Sequence, residues 1–151
     1  MNILATQYCL QTKSLEIYLA GCKGPHCSNC HNPESWDFSL GTPWREVIPQ
    51  IQQKLKDFTG LIDNIKVLGG EPLDQDFDEL GSFIYQLARE EADIWLFTGK
   101  GSMSVPTFIT AYCDYVKCGR YDEGQLTEDN IQYGVKLASA NQKIYKRGVD
   151  Y

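Results

Sequence analysis

The chain has 151 residues, a formal net charge of −6 and 42% hydrophobic residues, which suits one domain spanning residues 1–151 around a moderate core. Lysine and arginine are scattered rather than clustered, so a phosphate-binding surface for nucleic acid is not expected. No stretch approaches the roughly 20 apolar residues that cross a bilayer, and no secretory signal is visible. We therefore expect a cytoplasmic protein that binds neither nucleic acid nor membrane.

The first predicted elements are a strand, a long loop and a helix. Residues 15–20 alternate in period two and predict a strand, and residues 21–41 are rich in Cys, Gly, Pro, Ser and Asn, as loops are. Apolar residues over 44–58 recur at helical spacing. The Thr42–Pro43 pair offers an N-cap followed by a first helical residue. Pro49 predicts a kink or a later helix start.

The rest of the chain continues to alternate. Its apolar runs and helical periodicity predict a strand at 65–68, a helix at 77–88, a strand at 94–97, a short helix at 106–111, a strand at 112–117 and a fifth strand within 133–144. This alternation indicates βαβ units and a parallel sheet. Since such sheets bind ligands in the loops after their strands, residues 22–30, 69–71 and 98–99 are expected to share one face.

Three of the six cysteines lie within nine residues, at Cys22, Cys27 and Cys30. In a reducing compartment, crowded cysteines usually bind metal rather than form disulfides. The isolated cysteines are more simply explained by packing, because free Cys is among the most buried residue types. These isolated residues are Cys9, Cys113 and Cys118.

Two metal sites fit the crowded cysteines. A structural zinc ion usually takes four protein ligands in two separated pairs, and no second Cys or His pair lies downstream, so zinc would have to use His26 or His31. A cubane 4Fe–4S cluster held by three thiolates would leave one iron open to an external ligand. The sequence favours the cluster and leaves the zinc site as an alternative.

Four segments of the chain resemble a known family in the same order. Residues 21–38 resemble the cysteine signature of the radical S-adenosylmethionine superfamily and, within it, the anaerobic ribonucleotide reductase activating proteins, which are small glycyl-radical activases. Residues 68–73 (LGGEPL) resemble that family's second motif, residues 94–99 its third strand and turn, and residues 139–144 its C-terminal Ser-x-Asn-Gln segment. The resemblance spans roughly residues 15–145.

The resemblance implies a cofactor pair and a set of residues that bind it. Cys22, Cys27 and Cys30 would hold the 4Fe–4S cluster, whose open iron would bind S-adenosylmethionine. The residues expected to contact S-adenosylmethionine are Asn29, Cys30, His31, Gly69, Gly70, Glu71 and Thr98. Reductive cleavage of the cofactor would give a 5′-deoxyadenosyl radical, which would remove a hydrogen atom from a backbone glycine of a partner protein.

The expected fold is α/β, an open partial (βα) barrel of about five parallel strands whose open mouth would admit a partner's loop. The expected function is that of a radical S-adenosylmethionine oxidoreductase that activates the large subunit of an anaerobic ribonucleoside-triphosphate reductase. A one-electron donor such as flavodoxin or ferredoxin would supply the electron. Two alternatives stay open: an activase of another glycyl-radical enzyme such as pyruvate formate-lyase, and a non-enzymatic zinc or iron–sulfur binding module.

The spacing of the cysteines allows two ligand frames. Four residues separate Cys22 from Cys27, one more than the superfamily usually has. Ligation by His26 instead of Cys27 would restore that first spacing but would leave three residues before Cys30 instead of two. The Gly24-Pro25 pair can form a turn that absorbs the extra residue. We therefore predict that His26 is not a ligand.

Overall fold

A seven-stranded mixed sheet organises the chain in the computed structural model, which describes residues 1–151. The chain has nine strands, of which β7 and β8 pair only with each other and lie outside this sheet. They are β1 (Asn2–Cys9), β2 (Ser14–Leu19), β3 (Thr42–Pro43), β4 (Asn64–Leu68), β5 (Asp93–Phe97), β6 (Tyr115–Cys118), β7 (Ile131–Gln132), β8 (Val135–Lys136) and β9 (Lys143–Lys146). The α-helices are α1 (Trp44–Asp57), α2 (Phe77–Leu87) and α3 (Thr107–Tyr112). No helix has the length and apolar character needed to span a bilayer.

The centre of the sheet is parallel and its edges are antiparallel. The strand order is β3-β1-β2-β4-β5-β6-β9, in which β2, β4, β5 and β6 run parallel to one another. Helices α1, α2 and α3 connect these four strands in turn, which makes the fold α/β. Because the four strands are parallel, the loops that leave their carboxyl ends emerge at one edge of the sheet.

Alternation along the strands separates an apolar face from a polar and aromatic face. Ile17, Val67 and Leu96 lie in register on β2, β4 and β5 and are fully buried. They belong to the main core, which also takes in buried residues of all three helices. On the other face, the Trp95 ring stacks on that of Tyr115, with centroids 3.9 Å apart. The helices therefore cover one face, and the functional loops are free at the strand ends.

The C-terminal part of the sheet differs from the sequence-based expectation. The predicted fifth parallel strand is wrong, because β9 pairs antiparallel with β6. A parallel return to the sheet needs a crossover connection, usually a helix, whereas the β7–β8 hairpin lies between β6 and β9. Strand β1 was not predicted; it pairs antiparallel with β2, and only one of its eight residues, Ile3, is buried. The partial barrel stays a prediction.

Two helix boundaries also differ. Thr42–Pro43 forms β3, since Thr42 pairs with Ile3, so Pro43 is the N-cap of α1 and Thr42 is not. The later start predicted from Pro49 is wrong, because α1 begins at Trp44 and continues through Pro49 to Asp57. Helix α3 extends to Tyr112, so β6 begins at Tyr115 rather than at residue 112.

Glu79 links α2 to α1 and predicts acid-sensitive stability. Its carboxylate accepts hydrogen bonds from Arg45 Nη1 at 2.5 Å and from Trp44 Nε1 at 2.7 Å. These bonds, first that of Arg45 and then that of Trp44, lower the Glu79 pKa from 4.5 to about 2. Because the folded pKa lies below the unfolded one, the bonds stabilise the fold above pH ~4.5, and this contribution is lost as the pH falls toward ~2.

Glu79→Gln should therefore lower the free energy of unfolding at pH 7 and reduce its loss between pH 4.5 and 2. Urea unfolding followed by circular dichroism at several pH values measures both effects. Glu46→Gln, an exposed change on the same helix as Arg45, is the matched control and should alter neither. Equal acid dependence in Glu79→Gln and the unchanged protein would contradict this role.

Candidate functional site

One pocket at the carboxyl ends of the parallel strands brings the predicted loops together. Its walls come from the cysteine loop after β2, from the loops after β4 and β5, and from the end of β6 with the segment that follows. All the predicted site residues except Asn29 line this pocket: Cys22, Cys27, Cys30, His31, Gly69, Gly70, Glu71 and Thr98. The sheet topology therefore assembles in space what lies in separate motifs along the sequence.

The cysteine loop is closed at its base by backbone hydrogen bonds. Gly21 N–H donates to the Ser35 carbonyl at 2.7 Å, and Cys22 N–H donates to the Trp36 carbonyl at 3.1 Å. Gly21 has a φ of +108°, which favours glycine, and a Cβ there would lie 2.2 Å from the Phe38 ring. The loop thus returns to its starting point and presents its cysteines on one side of the pocket.

The three loop cysteines are half-buried and none forms a disulfide. Asn29, between two of them, has a φ of +54°, in the left-handed region that Asn tolerates better than most residues. Asn29 is exposed and does not line the pocket. Its contact with S-adenosylmethionine stays a prediction.

The glycine pair after β4 lets two loops approach closely. Gly70 has a φ of +50°, and a Cβ there would lie 2.4 Å from the Gly21 carbonyl oxygen. Gly70 N–H donates to Ser35 Oγ at 3.0 Å, and Glu71 N–H donates to the Gly21 carbonyl at 2.8 Å. The absence of a side chain at Gly70 lets the glutamate loop approach the cysteine loop, and the two hydrogen bonds hold the loops together.

Glu71 is buried, and its carboxylate is held by three donors. Thr98 Oγ1 donates to Oε1 at 2.5 Å and Leu73 N–H donates to the same oxygen at 3.0 Å. Gly99 N–H donates to Oε2 at 2.8 Å. A carboxylate has about four acceptor positions, so these bonds orient Glu71 and leave one position for a further donor. Thr98 thus helps to orient Glu71, and its contact with S-adenosylmethionine stays a prediction.

The ring of His26 is held by two contacts within the cysteine loop and its return. Its Nε2 lies 3.0 Å from the Cys22 carbonyl oxygen, which can only accept, so Nε2 carries the hydrogen. Its ring stacks on Trp36, with centroids 3.7 Å apart and an angle of 4° between the planes. His26 does not line the pocket. These contacts support the frame in which Cys27, rather than His26, is the second ligand.

His26→Ala should accordingly keep its iron and sulfide after anaerobic reconstitution, because no ligand is removed. The lost stacking on Trp36 should at most shift the reduction potential. Iron and acid-labile sulfide analysis of His26→Ala and Cys27→Ala, prepared side by side, checks the frame. Loss of iron in His26→Ala together with retention in Cys27→Ala would show that the other frame is correct.

Sequence reasoning identified Glu71 but missed four other charged residues of the pocket. Asp74, Lys100, Lys117 and Arg120 all line it. Asp74 lies close to the start of α2, but Asp76 is the residue that caps this helix, by accepting from the backbone of residues 78 and 79. One signal in the sequence could have identified Asp74 as a pocket residue. It lies three residues after Glu71, in the loop that follows a predicted strand.

Lys117 is a half-buried cation of this pocket that forms no ion pair with a carboxylate. Its Nζ donates to the Gly119 carbonyl at 2.6 Å. Burial lowers the pKa of Lys117 to about 8. It extends from β6 into the same pocket as Glu71, which lies in the loop after β4, so the pocket holds both a carboxylate and an ammonium group.

The isolated cysteines lie outside the pocket. Cys113 and Cys118 are buried, and burial raises the pKa of both thiols, that of Cys118 to about 11. Cys9 is half-buried at the end of β1, where a hydrogen bond with Thr12 lowers its pKa. Cys113 and Cys118 are thus buried packing residues, as expected, whereas Cys9 is only half-buried.

The donor set suits an iron–sulfur cluster. Soft thiolates are preferred ligands of such clusters, and three free cysteines line one pocket. No group of three or more His, Cys, Asp or Glu side chains is arranged to hold a single metal ion. Three thiolates around a cubane each bind a different iron, so they do not have to converge on one point.

Comparison with known proteins agrees with this donor set. Residues 12–145 match the family described as a 4Fe-4S single cluster domain. The chain is 33% identical over 137 residues to the anaerobic ribonucleoside-triphosphate reductase-activating protein of Haemophilus influenzae, a match covering 86% of this chain and 85% of that protein. The chain therefore belongs to the family of anaerobic ribonucleoside-triphosphate reductase-activating proteins and contains its 4Fe–4S cluster domain.

Proposed function

We propose that this protein reductively cleaves S-adenosylmethionine with a 4Fe–4S cluster and generates a glycyl radical on the large subunit of an anaerobic ribonucleoside-triphosphate reductase. The observation that carries the proposal is one pocket that is lined both by three free cysteines and by the buried, oriented carboxylate of Glu71. The printed name of the Haemophilus relative supports the choice of reductase as the partner.

Cys22, Cys27 and Cys30 would hold the cluster and leave one iron without a protein ligand. When bound, the cluster supplies the electron that cleaves the sulfonium of S-adenosylmethionine. The chain's contribution is to fix the thiolates, and the hydrogen bonds of Gly21 and Cys22 to the returning backbone do so at the base of the loop. A loop closed in this way presents its ligands without a large entropic cost on loading.

Opposite charges in the pocket suit the amino-acid end of S-adenosylmethionine. Glu71 has one acceptor position left for the ammonium group, and charge-assisted hydrogen bonds of this kind are the strong ones. Lys117 and Arg120 line the same pocket without forming an ion pair, so they can meet the carboxylate group of S-adenosylmethionine. The backbone around Asn29 and His31 would contact the adenine.

The partner's glycine has to reach this pocket, and the proposed architecture allows it. The parallel part of the sheet has only four strands, and antiparallel strands follow on both sides. We propose that these strands form an open partial barrel whose mouth admits a loop of the reductase. A cytoplasmic one-electron donor such as flavodoxin or ferredoxin would reduce the cluster, and the host would have an anaerobic phase of life.

Anaerobic product analysis tests the proposed reaction. The reconstituted protein, reduced with dithionite and supplied with S-adenosylmethionine, should release 5′-deoxyadenosine and methionine, which chromatography quantifies. A Cys30→Ala protein treated identically is the matched control and should release neither. Zinc without acid-labile sulfide in the purified protein, together with no cleavage, would instead identify a non-enzymatic binding module.

A further inference from the structure

An ion pair in the pocket joins three separate loops. Asp74 lies in the loop after β4, and its side chain is only 6% exposed. Its Oδ1 accepts from Lys100 Nζ at 2.8 Å, and Lys100 belongs to the loop after β5. Its Oδ2 accepts from the Lys23 N–H at 2.7 Å, and Lys23 belongs to the cysteine loop. One buried carboxylate thus holds both neighbouring loops.

The position of the Lys23 amide gives this contact a specific consequence. That amide belongs to the peptide that directly follows Cys22, so its hydrogen bond to Asp74 fixes the backbone that carries the Cys22 thiol. Hydrogen bonds to a charged acceptor are stronger than those between neutral groups. Asp74 therefore orients the first cysteine of the loop from outside the loop itself.

Lys100 has a second effect, which is electrostatic. A buried carboxylate beside a metal cluster places a negative charge where an electron has to be added, and net charge and solvent exposure help to set the potential of such clusters. Lys100 compensates that charge at 2.8 Å. The hydrogen bond to Asp74 raises the pKa of Lys100, so the ammonium is charged at neutral pH.

We propose that the Asp74–Lys100 pair positions the Cys22 ligand and sets the reduction potential of the cluster. Asp74 holds the backbone of the cysteine loop, and Lys100 cancels the charge that Asp74 would otherwise add next to the cluster. The proposal rests on the cluster assignment of the proposed function but not on the identity of the partner. Both residues act through the cluster and not on the substrate.

Redox titration of the reconstituted full chain, followed by paramagnetic resonance, tests the pair. Lys100→Met should leave the Asp74 charge uncompensated and lower the potential, so that the reduced-to-oxidised ratio at a fixed ambient potential falls about tenfold, which is ~59 mV for one electron. Asp74→Asn retains an acceptor for the Lys23 amide and leaves Lys100 uncompensated, so it should raise the potential. The double variant should return close to the potential of the unchanged protein.

Two controls separate charge from folding. Lys100→Arg keeps the charge and should keep the potential, and Lys56→Met, an exposed change on α1, should have no effect. Shifts of the same sign in Lys100→Met and Asp74→Asn, or no shift in either, would overturn the proposal. If Lys100→Met fails to retain iron, an unchanged reduction potential in Asp74→Asn is enough to overturn the proposal. If the variants show these shifts but the unchanged protein cleaves no S-adenosylmethionine, the proposed function is refuted and the role of the Asp74–Lys100 pair stands.

Discussion

Single replacement of Cys22, Cys27 or Cys30 by Ala should abolish a cluster that the unchanged protein forms with about four irons and four sulfides per chain. Each replacement removes one of only three protein ligands, and no other cysteine lines the pocket to take its place. Iron and acid-labile sulfide analysis after anaerobic reconstitution measures the loss, and the visible absorbance of the brown protein reports it independently.

The isolated cysteines provide the matched controls for this experiment. Cys9→Ala removes a half-buried thiol distant in the fold from the pocket, at the far end of the β1–β2 hairpin, and should keep the full iron content. Cys113→Ala and Cys118→Ala remove buried thiols, so they should lower stability while retaining the cluster in the folded protein. A folded Cys9→Ala or Cys113→Ala protein that binds no iron would contradict the ligand assignment.

Replacing Glu71 by Gln should weaken S-adenosylmethionine binding by roughly 1.5–3 kcal/mol, the range for a hydrogen bond to a charged group. Gln keeps the size of the side chain but removes the negative charge. Its amide nitrogen also cannot accept from Thr98, Leu73 or Gly99, which now donate to the carboxylate. Anaerobic calorimetric titration of the reconstituted protein measures the affinity.

Two further variants show whether the effect belongs to the carboxylate. Thr98→Val removes one of the donors that orient Glu71, so it should weaken binding less than Glu71→Gln does. Glu34→Gln changes an exposed carboxylate in the cysteine loop and should leave the affinity unchanged. Equal affinities of Glu71→Gln and the unchanged protein would remove Glu71 from the binding site.

The central strands could be predicted from local sequence because most of their apolar residues are also buried. Residues 65–68 and 94–97 are apolar runs ended by glycine or threonine-glycine, and they form β4 and β5 almost as predicted. The β7–β8 hairpin and the antiparallel β9 could not be predicted in this way. Strands β7 and β8 have two residues each, and their side chains are not buried, so no apolar periodicity marks them.

The candidate site likewise has residues that local sequence identifies and residues that only the fold brings together. The cysteine loop, the glycine pair and Glu71 could be identified because each carries a local signal of its chemistry. The Asp74–Lys100 pair could not, because its partners lie in loops that only the parallel sheet brings together. Only the folded chain brings the Asp74 carboxylate to the backbone that follows Cys22.

Paramagnetic resonance of the reductase after activation tests the central claim most directly. The reconstituted protein, a reductant, S-adenosylmethionine and the large subunit of an anaerobic ribonucleoside-triphosphate reductase are mixed without oxygen and frozen. We predict a glycyl-radical doublet on the reductase that is absent without S-adenosylmethionine and absent with the Cys27→Ala protein. No doublet on the reductase, or a doublet that forms only when pyruvate formate-lyase replaces it, would contradict the proposed function.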